Sequence, residues 1–265
     1  MQYSTQSMAS FTARSGALLA KAKLEPVGES GAATVELVAR NFALGTAQTN
    51  LDLAMTGDID IKLDSTGADV RTLLGNLNGM IFLNARGGRM TGNPMLNRLY
   101  GDLLQEILGT INPFRQTDPY IDLECIVMPL QFDDGQMTSA PNIFASTNKI
   151  RIAASPTVNF KTEDLRVVVR TTPRRALSIS AGELVNPYVQ IVGTLAEPRL
   201  AVDETGVLIS GGAAIATGGL TLLARGLWDR MKGAGDPCKR STERAIEQLE
   251  DRFPDLSVEG LERLE

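Results

Sequence analysis

The sequence predicts an α+β fold, mainly β: a curved antiparallel sheet forming an open groove, or half-pipe, with inserted helices and a C-terminal helical tail. Three observations predict it. Several stretches alternate apolar and polar residues at the two-residue period of a strand. Short Gly-containing turns fall between them, as in an antiparallel meander. Only a few segments show helical spacing. With 265 residues, 43% of them hydrophobic and 22% charged, the chain can bury a sizeable core and has no signature of disorder.

The elements follow in order. Ala33, Val35, Leu37 and Ala39 alternate with Thr34, Glu36 and Arg40. The most regular stretch is Leu51 to Leu63, where Leu51, Leu53, Met55, Ile59, Ile61 and Leu63 take the odd positions and Gly57 leaves a gap. The even positions hold Asp52, Ala54, Thr56, Asp58, Asp60 and Lys62, so one face is apolar and the other wet. A strand of this length is long, and Gly57 is expected to mark a bulge or bend. A short helix is expected over Asp69 to Leu77, with Val70, Leu73, Leu74 and Leu77 at helical spacing. A second, over Pro94 to Ile111, carries the stripe Leu96, Leu99, Leu103 and Ile107 and is ended by Asn112-Pro113.

Further strands are expected at Ile121 to Val127, at Ile150 and Ile152, at Leu165, Val167 and Val169, and at Val189, Ile191 and Leu195. Gly87-Gly88 and Asp134-Gly135 read as hairpin turns. After Asp203 the composition changes. Gly206 to Ala224 carries no charge over 19 residues, a length that reaches a membrane span. Its glycine pairs, Gly211-Gly212 and Gly218-Gly219, favour an interfacial or packed helix over a true span. Asp236-Pro237 then opens a polar helix to about Arg252, with Asp236 as N-cap and a seam of Ala245, Ile246, Leu249 and Phe253. Residues 1–203 thus form the groove region, with helices near 69–77 and 94–111. Residues 204–265 hold the Gly/Ala-rich segment and the terminal helix.

Composition removes many functions. The 26 basic and 31 acidic residues leave a net charge of −5, which offers no general footprint for nucleic acid. Histidine is absent, and with it the commonest general base, the commonest metal ligand and every Ser-His or Cys-His pair. No cofactor fingerprint is present: Gly219 is followed by Leu220, not by the Lys of a phosphate loop. Asp58 and Asp60 share a strand face and could share a proton or cation, but a solvated strand face is the simpler account. Asp133-Asp134-Gly135 has too few oxygen ligands for calcium and reads as a turn. Arg170 to Arg175 and Lys239-Arg240 are basic spots that could meet anionic headgroups, or simply be solvated turns. Cys125 and Cys238 leave two alternatives open, unconnected thiols or a disulfide pinning the last helix to the sheet. The first residues, Met1 to Thr5, show neither the basic nor the apolar region of a signal peptide.

Four stretches, taken together, resemble the C-terminal region of the AsmA family of large envelope proteins, which includes TamB and YhdP. They are Gly67-Ala68-Asp69-Val70-Arg71-Thr72-Leu73-Leu74 leading to Leu77-Asn78-Gly79; Asn112-Pro113-Phe114 followed by Asp118-Pro119-Tyr120 and the Cys125 strand; the turn Phe132-Asp133-Asp134-Gly135; and Val192-Gly193-Thr194-Leu195-Ala196-Glu197-Pro198-Arg199. Their order spans about Leu51 to Cys238. The resemblance implies a half-pipe with an apolar interior, in the periplasm and associated with the inner membrane, acting in phospholipid transport and outer-membrane assembly. It also implies the Cys125–Cys238 bridge, because the family is periplasmic. Without the family's N-terminal anchor and long repetitive body, the chain reads as the terminal piece alone.

The expectation is therefore a non-enzymatic module that holds phospholipid acyl chains on Leu51, Leu53, Met55, Ile59, Ile61, Leu63, Val167 and Val169. Membrane or envelope proteins are further expected partners. No catalytic residue, metal or cofactor is expected. The alternative is a protein-interaction or assembly-regulating module whose apolar face is covered by a partner chain. A hydrolase built on Asp58 and Asp60 is the remotest reading.

Overall fold

A computed structural model describes residues 5–13, 16–27, 30–44, 55–91, 120–148, 150–173, 188–201 and 236–253. The expected helices at Pro94–Ile111 and Gly206–Ala224, and the strand start at Leu51 and Leu53, lie outside the described residues.

The strands are β1 (Thr5–Ala13), β2 (Gly16–Val27), β3 (Ser30–Leu44), β4 (Met55–Gly67), β5 (Asn78–Thr91), β6 (Tyr120–Asp133), β7 (Gln136–Ser139), β8 (Ile143–Thr147), β9 (Ile150–Asn159), β10 (Asp164–Pro173), β11 (Tyr188–Thr194) and β12 (Pro198–Leu200). They form one 12-stranded sheet in the order β1-β2-β3-β4-β5-β6-β7-β9-β10-β11-β12, with β8 bridging β6 and β9. All described pairings are antiparallel. The fold class is α+β, mainly β, as the alternation predicts. Each strand pairs with its sequence neighbour, apart from the detour at β8.

Turn chemistry explains most of the connections. Asp134 and Gly135 both take positive φ, 47° and 77°, as the tight β6–β7 hairpin requires. Gly79 has φ +118°, and a Cβ there would sit 2.0 Å from the Lys62 carbonyl oxygen, so only glycine fits where β5 starts beside β4. Gly87-Gly88 forms no hairpin. Both residues lie within β5, where Gly87 at φ +58° kinks a continuing strand. The bulge expected at Gly57 lies instead on the neighbouring strand, where the register shifts between Ala39 and Phe42, opposite Gly57.

Two helices are described. Helix α1 (Val70–Gly75) is capped by Asp69, whose side chain accepts from the Thr72 N–H, and Ser65 Oγ donates to the Leu73 carbonyl to seat it on the end of β4. It is shorter than expected because Asn76 and Leu77 turn back toward β5. Helix α2 (Pro237–Arg252) begins as expected, with Asp236 accepting from the Cys238 N–H and Pro237 in the first turn.

The core lies under α2. Met80, Phe82, Cys125, Val127 and Phe144 from the sheet meet Cys238, Ala245 and Leu249 from the helix, with Ile246 and Phe253 against them. Burying each large side chain contributes about 1.5–3 kcal/mol, which holds the helix on the sheet. A disulfide joins Cys125 to Cys238, their Cα atoms 6.0 Å apart. Leu123, two residues before Cys125 in the same strand, packs not under α2 but with Met55 and Ala85. The register of β6 against β8 shifts between Leu123 and Cys125, and this redirects the side chain.

Candidate functional site

Directly paired residues of antiparallel strands share a face, so the register sorts the whole sheet. One face carries α2. On the other, Ala20, Leu37, Ile61, Ile81, Leu130 and Ser139 form one row from β2 to β7. Ala39, Ile59, Leu83 and Met128 form the next. Beyond β8 the face continues through Ile143, Ala154, Val169 and Val189, and through Pro156, Val167, Ile191 and Leu200. No Asp, Glu, Lys or Arg falls in any of these rows.

This uncharged face is only partly covered. Among the described residues, neither helix lies across it: α1 contacts β4 at the strand end, and α2 contacts β6 and β8 from the opposite side. Near β2 and β3, Leu24 and Val35 are 54% and 39% exposed, a high value for large apolar side chains.

The expected lipid-contacting residues divide into three groups. Ile59, Ile61, Leu63 and Val167 are half-buried on the uncharged face. Met55 and Val169 are buried in local clusters, Met55 with Ala85 and Leu123, Val169 with Val189 and Leu200. Leu51 and Leu53 lie outside the described residues. Sequence reasoning missed the neighbours that make the face continuous, above all Ile81, Leu83, Met128 and Leu130. Their alternation is visible in the sequence, but only the register aligns it with that of β4.

The expected wet face of β4 requires a correction. Asp58 and Asp60 are buried, 3% and 5% exposed, and not solvated. The β3 bulge explains this. Asp58 Oδ1 accepts from the Asn41 backbone N–H at 2.8 Å, holding Asn41 at φ 48°. Arg40 donates to both Asp60 oxygens, at 2.9 and 2.7 Å. The Asp60 carboxyl is pushed up from its ordinary value, because its burial outweighs the Arg40 hydrogen bond and charge. Both carboxylates are committed to shaping β3, and among the described residues no substrate-facing constellation surrounds them.

Asp133 and Asp134 are likewise engaged. Arg252 donates to Asp133 at 3.1 Å and Lys161 to Asp134 at 2.6 Å, tying the hairpin to α2 and to the β9–β10 turn. Among the described residues, no group of three or more His, Cys, Asp or Glu could hold a metal ion. No described helix is long and apolar enough to cross a membrane. Of the basic spots, Arg170 is buried, Arg240 is half-buried, and Arg174 and Arg175 lie outside the described residues. No protein-family model, curated protein or solved structure matches the chain.

Proposed function

We propose that the chain is a non-enzymatic envelope module that holds phospholipid acyl chains on the uncharged face of its sheet, in the service of phospholipid transport and outer-membrane assembly. One observation carries the reading: a face running from β2 to β12 without a charged residue, which neither described helix lies across and which leaves Leu24 and Val35 exposed. Such a surface in water must be covered or occupied by something apolar. An acyl chain suits it, because it needs contact area without directional polar partners. The right-handed twist inherent to sheets would wrap so broad a face into the groove that the reading requires.

The resemblance to the AsmA family supports the same function. The reading carries an envelope location, in the periplasm beside the inner membrane. The Cys125–Cys238 disulfide supports that location, since such bonds persist in oxidising compartments.

The test is phospholipid co-purification, read by mass spectrometry. Ile59→Asp is expected to abolish it while circular dichroism still reports the sheet, because a charge there desolvates against Leu83 and Ala39. Lys62→Ala, on the opposite face, is expected to leave lipid bound. Wild-type protein that purifies lipid-free in a stable complex with another chain would instead make the face a protein interface. Lipid unchanged in Ile59→Asp would end the proposal.

A further inference from the structure

The two edges of the 12-stranded sheet differ. At one, β12 is only three residues long, begins at Pro198 and exposes Arg199. A short strand, a proline and a charge are devices that keep a sheet edge from pairing with another chain. At the other edge, β1 runs for nine residues, Thr5–Ala13, with no charge, proline or glycine. It pairs with β2 alone, so among the described residues its outer row of N–H and C=O groups meets no strand. Such a row is a template for a strand laid alongside.

The strands next to that edge are also apolar where they are exposed. Leu19, Leu24, Val35 and Val38, all on β2 and β3, are 42%, 54%, 39% and 37% exposed. They lie on both faces. Leu19 pairs with Val38, in a row that continues to Asp60 and Phe82 on the helix face, whereas Val35 pairs with Leu63 on the uncharged face. The exposure therefore follows the edge rather than one face, which suits a sheet that continues sideways.

We propose that β1 pairs with β1 of a second copy of this chain, antiparallel and about a two-fold axis, so that two sheets become one. Three features select this occupant. The strand carries no charge, so no like charges meet when it is laid against itself. A register centred on Ala9 pairs all nine residues, with Met8 opposite Ser10 of the second copy and Ser7 opposite its Phe11. Head-to-tail pairing would have to use β12, which is too short for such a ladder, so the isologous contact closes at two copies. Directly paired residues share a face, and Ala9 lies in the row of Ala20, Leu37 and Ile61. The uncharged faces of both copies thus join on one side. The pairing itself rests on backbone groups at the edge, so it stands or falls independently of the acyl-chain reading.

Two experiments on the full chain test it. Sedimentation velocity is expected to show a dimer. Met8→Glu with Ser10→Glu places two like-charged pairs across the axis and is expected to weaken dimerisation by roughly tenfold or more. Met8→Glu with Ser10→Lys makes the same pairs attractive and is expected to keep the dimer, which separates lost pairing from lost folding. Arg199→Glu, at the far edge, and Ile59→Asp, on the uncharged face, are expected to dimerise like wild type. The second experiment is cross-linking. Both cysteines of the chain are held in the disulfide, so Ala9→Cys supplies a lone thiol. In the centred register it stands directly opposite its own copy, about 4.5–5.5 Å away between Cα atoms, within reach of a disulfide. Mild oxidation should give a covalent dimer from Ala9→Cys and none from Thr5→Cys, which stands opposite Ala13 of the second copy. Wild type that sediments as a monomer, or in complex with a different chain, overturns the proposal. So does a dimer that the paired Glu substitutions leave unchanged, one that Arg199→Glu weakens as much as they do, or one that cross-links equally through both positions.

Discussion

Asp60 is a buried carboxylate held by a guanidinium, and opposed effects set its ionisation. Burial raises its pKa, the Arg40 hydrogen bond and charge lower it, and nearby Asp58 raises it again. The net direction is upward from 3.8, so in the window just above that value the folded chain binds more protons than the unfolded one. Stability from this group is therefore fullest below 3.8 and falls as pH rises through the folded pKa. Urea unfolding across that window should show Asp60→Asn lacking this slope. At neutral pH, Asp60→Ala should cost about 1–3 kcal/mol, because Arg40 loses both of its charged hydrogen bonds. None of this was legible in the sequence, which suggested a solvated strand face. The partners of Asp60 and Asp58 lie 20 and 17 residues away on a bulge, and no local pattern announces it.

Among the elements, α2 shows the most about how local signals and tertiary constraint combine. Its start, its end and its seam are all readable: Asp236 caps it, Pro237 enters it, and Ala245 and Leu249 are buried. Its docking position depends on contacts that span the chain. The Cys125–Cys238 bridge closes a separation of 113 residues, and Thr242 Oγ1 donates to Asn84 Oδ1 from 158 residues away. Loop-closure entropy makes a bridge over so long a loop worth about 4–5 kcal/mol. The double substitution Cys125→Ser, Cys238→Ser should lower the stability measured in guanidinium by a comparable amount. It should also leave the strands intact by circular dichroism, since the bridge pins the helix and no strand pairing depends on it.

For the whole molecule, the two faces of one sheet do different work. The helix face concentrates the ion pairs, the disulfide and the largest buried cluster, whereas the uncharged face carries no charge for screening to act on. If acyl chains occupy that face, the attraction is the hydrophobic effect and persists in salt. Phospholipid should therefore remain with the protein through washing at about 1 M sodium chloride, where the screening length is only about 3 Å. Lipid stripped by that wash would mean that headgroup charge holds it, and the uncharged face would lose its proposed role.

The sequence by itself determined the class of fold, the apolar face of β4, the Asp236 cap of α2 and the turn at Asp134-Gly135. These depend on period, capping and φ preference, which act over a few residues. Only the tertiary structure decided which alternating strands stand side by side, and so whether scattered apolar runs make one surface. Strand pairing is a choice among distant segments, fixed by register and bulges. That is why Ile59, Ile61 and Val167 could be singled out in the sequence while the residues that join them, Ile81, Leu83, Met128 and Leu130, could not.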